Sequence, residues 1–83
     1  MNIKREIELI ISEILGKAIS VEDDANLMYD YNMDSLQVMN TIVCIENRFD
    51  IEFELDDLNI ENLIIFSKIV ECVKHIMKKD VYQ

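Results

Sequence analysis

The chain has no proline, one glycine (Gly16) and two cysteines in 83 residues. A turn-rich β domain has few means of reversing direction without proline and glycine. At 51% hydrophobic residues the chain is also too apolar to stay unfolded. What is left is a compact helical protein. Cys44 and Cys72 lack metal-ligand spacing and do not amount to a disulfide framework, so they read as reduced cytosolic thiols. No apolar run approaches the roughly 20 residues that cross a bilayer, and Glu6, Glu8 and Glu13 interrupt any secretory leader. The expectation is a cytoplasmic protein without membrane contact. Its Met1 start and the lack of Gly/Pro/Ser-rich tails read as a discrete single domain over residues 1–83.

Positive charge is scarce as well. Eight Lys and Arg face 17 Asp and Glu, for a net charge of −9, which argues against nucleic acid as a partner, because phosphates need clustered cations. The acid is concentrated in two blocks. Residues 20–34 carry −5 and residues 50–62 carry −6, while 35–49 between them sum to zero. Such a frame can steer basic partners toward the neutral stretch it encloses.

What is present follows helical spacing. Ile3, Ile7, Ile10, Ile11 and Ile14 share one face of a helix that Gly16 can terminate. Residues 17–34 hold no sustained period, and a loop that long in a small domain is functional or pinned. Ile19, Val21, Leu27, Met28, Tyr31 and Met33 can plug the core while Glu22, Asp23, Asp24 and Asp30 face water. Tyr29 and Tyr31 read as packing and rim residues. From Ser35 the period returns, with Val38, Thr41, Ile42, Ile45 and Phe49 as an inward stripe. Leu36, Met39 and Val43 fall on a second arc. In so small a protein that arc is expected to meet water until a partner covers it.

Ile51, Phe53 and Leu55 alternate, but a lone strand has nothing to pair with, so this segment reads as an extended loop. Asn59 can cap a short turn, and Phe66, Ile69, Val70, Val73, Ile76 and Met77 make a last stripe. The spacing predicts an all-α, small four-helix bundle: three longer helices at about 3–15, 35–49 and 66–79, and a short one at about 59–63.

Most candidate sites fail on their own chemistry. Cys72 and His75 share a helix face, but nothing orients the histidine, so they read as a core thiol and a surface histidine. Cys44 reads as a packing residue. Asp30, Asn32 and Asp34 start like a calcium loop, yet Ser35 and Thr41 stand where such a loop needs Gly and Glu. Ser35 lacks the glycine-flanked elbow of a hydrolase nucleophile. It remains as a hydroxyl that another enzyme modifies. On its own, Asp34-Ser35-Leu36 would be only a helix cap.

The order of segments is more specific than any one of them. Asp24 to Asn40, with Asp34-Ser35-Leu36 inside it, is followed by Ile45-Glu-Asn-Arg-Phe49-Asp-Ile-Glu-Phe53. Over roughly Ile3 to Met77 this resembles the acyl and peptidyl carrier protein family. The resemblance implies that Ser35 receives a covalent 4'-phosphopantetheine arm from coenzyme A through a phosphopantetheinyl transferase. It implies that Asp34 helps present Ser35, and that Leu36, Met39 and Val43 form the surface read by partner enzymes. Those partners would be an acyl- or aminoacyl-loading ligase and downstream synthase enzymes. The chain would be a monomeric carrier of thioesters, with no catalytic residues and no metal of its own.

The family usually has Gly where this chain has Asn32, and Asn tolerates the left-handed turn expected there. The second long helix is less acidic than in fatty-acid carriers, with Glu46 opposing Arg48. That points toward polyketide or nonribosomal peptide biosynthesis, with fatty-acid synthesis as the alternative. A cofactor-free helical adaptor docking through Met39 and Val43 is the rival of a different class.

Overall fold

A computed structural model describes residues 2–81, apart from the side chains of Leu55 and of residues 79–81. Among the described residues the chain forms five α-helices and no strand: α1 (Ile3–Leu15), α2 (Leu27–Asp30), α3 (Ser35–Phe49), α4 (Ile60–Leu63) and α5 (Phe66–Val81). A 3₁₀ turn at Leu55–Asp57 precedes α4. The all-α bundle and its three longer helices stand where the spacing put them. The long loop is corrected in one place, because α2 interrupts it. Four residues are too few to show a period; the local signal is Asn26, whose Oδ1 accepts from the N–H groups of Met28 and Tyr29 at 3.0 Å each. The short helix starts at Ile60 with Asn59 as its cap, and the last helix runs on to Val81.

Helix α1 packs against α3 and α5. Ile7, Ile10 and Ile11 are buried, and Ile3 and Ile14 lie at the rim. Gly16 closes α1 at φ 73°, a left-handed conformation that glycine adopts without penalty. The inward stripe of α3 is buried at all five expected positions.

The segment between α1 and α2 is pinned on both sides. Along α1, Ser12, Glu8 and Lys4 stand four residues apart and meet alternate residues of the extended segment running back past them. The Ser12 hydroxyl accepts from the Ile19 N–H at 3.2 Å, Glu8 Oε2 accepts from the Val21 N–H at 2.8 Å, and Lys4 pairs with Asp23. On the other side, the Leu27 N–H donates to the Ile64 carbonyl at 2.7 Å and the Phe66 N–H to the Ala25 carbonyl at 3.0 Å. Val21, Leu27 and Met33 plug the core.

Glu8 is the charged residue buried in this arrangement. The Val21 N–H bond holds its carboxyl below the ordinary value of 4.5 against the opposing effect of burial, helped by the Arg5 guanidinium. A carboxyl so depressed stabilises the fold above its unfolded value, and that stabilisation is lost as pH falls through the folded value. Glu8→Ala also leaves the buried Val21 N–H without a partner, at a cost of about 1–3 kcal/mol. The variant is therefore expected to show a lower urea midpoint at pH 7, with the gap to wild type shrinking at acidic pH. Urea titrations across pH check this.

Candidate functional site

The chain enters α3 through three residues with separate jobs. Asn32 sits at φ 58°, the left-handed turn expected of it. Met33 is buried, and its N–H donates to the Leu27 carbonyl at 3.2 Å, which fixes the entry angle. Asp34 is the helix cap: its Oδ1 accepts from the Gln37 N–H at 2.8 Å, and Gln37 Oε1 accepts from the Asp34 N–H at 3.1 Å. This reciprocal pair is a capping box. Asn32→Val is expected to cost about 1–2 kcal/mol because a β-branched residue resists positive φ. Asn32→Gly should keep wild-type stability, and thermal melts of the pair check both.

Ser35 then occupies the first position of a 15-residue helix. It is exposed, and its hydroxyl makes no hydrogen bond among the described residues. Because Asp34 does the capping, Ser35 is spared that work. The unpaired N–H groups of the first turn and the helix dipole favour negative charge at this end.

Beside it, Leu36 is 69% exposed, Met39 37% and Val43 48%. These three lie on the face opposite the buried stripe, and the structure brings them to the same helix as Ser35. Both charges of α3 are engaged within the molecule. Arg48 bonds to Glu6 at 2.8 Å and Glu13 at 3.4 Å across on α1, and Glu46 Oε2 accepts from the Phe53 N–H at 2.9 Å. The exposed arc of Leu36, Met39 and Val43 is left apolar and uncharged.

The other candidates fall away from the site. Cys44 is exposed, which corrects its reading as a packing residue. Cys72 is half-buried, and burial together with the Asp57 carboxylate pushes its thiol up to about 11, so it stays protonated at neutral pH. His75 is exposed on α5. Tyr29 is 89% exposed, which corrects its reading as a packing residue, whereas Tyr31 is half-buried against the core. Among the described residues no group of three His, Cys, Asp or Glu side chains is placed to hold a metal ion, and no helix is long and apolar enough to cross a membrane.

A family profile described as the phosphopantetheine attachment site matches residues 5–64. The chain is 36% identical over 67 residues to a probable acyl carrier protein of Caulobacter vibrioides, covering 80% of this chain and 78% of that one. It is 33% identical over 79 residues to an acyl carrier protein of Buchnera aphidicola, covering 94% and 98%. An acyl carrier protein of Chlamydia felis is 29% identical over 75 residues, covering 89% and 94%. The chain belongs to the phosphopantetheine-bearing acyl carrier protein family. It is a carrier with a covalent 4'-phosphopantetheine, served by a phosphopantetheinyl transferase and by partner enzymes. That sets aside the cofactor-free adaptor.

The entrance to α3 in this carrier fits such a group. A phosphodiester needs an accessible hydroxyl and a setting tolerant of negative charge, and a helix N-terminus supplies the second. Two features that matter here lie outside the sequence motif. Gln37 completes the cap, a role foreshadowed by its position three residues after Asp34. Glu8 pins the segment leading to the site, and its spacing on α1 gives no hint of that.

Proposed function

We propose that Ser35 is the attachment residue for the arm and that this carrier performs no chemistry of its own. On this reading it presents acyl or aminoacyl thioesters in the cytoplasm to enzymes of a polyketide or nonribosomal peptide pathway. The observation that carries the attachment is the exposed, unbonded Ser35 hydroxyl set at the start of α3 by the Asp34 cap. The arm, once attached, supplies the thiol on which cargo rides. The protein's own part is positional. Asp34 and Gln37 hold the helix end, the first-turn N–H groups face the phosphate, and Leu36, Met39 and Val43 offer partners an apolar surface. Tethering raises the local concentration of cargo at each enzyme in turn.

The pathway reading is supported by the uncharged docking arc. Partners that meet it through apolar contact depend little on salt, whereas charge-steered partners lose on-rate as salt rises. Fatty-acid synthesis is the second reading. The names of the curated relatives favour acyl over aminoacyl cargo.

Intact-mass measurement after incubation with coenzyme A and a broad-specificity transferase should show one adduct per chain, formed only when the transferase is present. The modified protein is then offered in parallel to a malonyl transferase of fatty-acid synthesis and to adenylating ligases, across a salt series. Loading by a ligase at a rate that holds at high salt supports the pathway reading. Efficient malonyl loading that collapses with salt overturns it in favour of fatty-acid synthesis.

A further inference from the structure

We infer that Tyr31 is a positioning residue for the modification of Ser35, tying the turn that carries the serine to the segment clamped along α1. This rests on Ser35 being the attachment point.

The connection runs through named atoms. The Tyr31 hydroxyl donates to the Ser20 carbonyl at 3.2 Å, across eleven residues of chain. Ser20 lies between the two loop residues that α1 grips, Ile19 through Ser12 and Val21 through Glu8. Tyr31 also directly precedes Asn32, whose left-handed turn sets the direction of Met33, Asp34 and Ser35. One phenol therefore joins the fixed half of the loop to the half that aims the serine. Its ring packs against the core, so the hydroxyl is delivered by a side chain already immobilised. Burial, followed by the nearby Asp30, Glu22 and Glu8 carboxylates, raises the phenol above its ordinary value, and the donor persists at neutral pH.

The turn has few other restraints on this side. Asn32 is exposed and the Asp34 side chain bonds only within its own helix; the buried stripe of α3 holds the helix body, while Met33 and the Tyr31 hook hold the turn that leads into its first residue. A carrier whose turn visits other orientations has a smaller fraction ready for the transferase. Its apparent affinity then falls by that fraction, while turnover of the bound complex is untouched.

Tyr31→Phe removes the hydroxyl and keeps the ring. Modification kinetics should show KM for the carrier raised roughly three- to tenfold, the range set by losing one hydrogen bond, with kcat unchanged. Amide exchange at Met33, whose N–H is bonded to the Leu27 carbonyl, should quicken while that of Val73 on α5 does not. Ile69→Val, a core truncation far from the turn in sequence, supplies a carrier destabilised by another route and should leave KM at the wild-type value. Glu8→Gln keeps an acceptor for the Val21 N–H and should behave as wild type, whereas Glu8→Ala should raise KM. Adding Tyr31→Phe to Glu8→Ala should raise it no further, because both act on one tether. A wild-type KM in Tyr31→Phe, an equal rise in Ile69→Val, or additive rises in the double variant would each overturn the assignment. Amide exchange needs no adduct: if wild type takes none at Ser35, the attachment reading fails while exchange still reports whether the hook exists.

Discussion

Ser35→Ala is expected to abolish adduct formation completely while leaving the fold intact. The two halves of this expectation have different causes. Loss of the oxygen removes the only atom at this position that can form the ester, so no residual modification is expected there. Retention of the fold follows from the division of labour at the helix start. Asp34, not Ser35, accepts the Gln37 N–H, and Gln37 reaches back to the Asp34 N–H. Ser35 is exposed at the first helical position, where alanine is a slightly better helix former than serine. Asp34→Ala should do the reverse. It leaves the hydroxyl in place but removes the cap, at a cost of about 1 kcal/mol. Circular dichroism melts beside intact-mass spectra separate the two variants. An Ser35→Ala protein that unfolds, or that still takes the adduct, contradicts the description of this helix end.

Phe66→Ala is expected to have the largest effect on stability. Phe66 is fully buried at the first residue of α5. Its N–H donates to the Ala25 carbonyl at 3.0 Å, and the next residue, Ser67, donates to the Asp23 carbonyl at 2.9 Å. Its ring therefore fills the core where the acidic loop is stitched to the last helix. Truncating a buried phenylalanine costs about 3–5 kcal/mol, against roughly 5–15 kcal/mol for an ordinary domain, with small ones at the lower end. The variant should unfold at a much lower urea concentration and populate unfolded chain at room temperature. Leu36→Ala removes a side chain that is 69% exposed and should change stability by under about 0.5 kcal/mol. Similar losses in both variants would show that the core has been placed on the wrong residues.

The sequence made some of this plain and hid the rest, and the reason differs by element. Helices α1, α3 and α5 bury one face each, so their apolar residues recur at helical spacing. For α3 the same spacing separated the buried stripe from the exposed arc of Leu36, Met39 and Val43. Helix α2 was hidden because a single turn has no period; only Asn26 and the apolar pair after it mark its start. The exposure of Cys44 was illegible for another reason. It lies at the border between the two arcs of α3, where spacing does not decide, and its neighbours determine which side meets water. The anchoring of residues 19–23 was illegible because it uses side chain to backbone bonds between distant segments. Neither Glu8 on a charged helix face nor Val21 in an acidic loop marks the other as its partner. At the site, Asn32 could be read from its tolerance of positive φ, and the Asp34 cap from its residue type. The unbonded state of the Ser35 hydroxyl depends on what surrounds it, which only coordinates supply.

The most direct test is to find where the arm is attached. After incubation with coenzyme A and a transferase, trypsin releases the peptide from Ala18 to Arg48, which contains the hydroxyls of Ser20, Ser35 and Thr41 as well as both tyrosines before α3. Fragment-ion spectra should place the added mass between Asp34 and Leu36, with every N-terminal fragment ending at Asp34 unmodified. An adduct on Ser20 or Thr41, or a folded protein that takes none, would contradict the account.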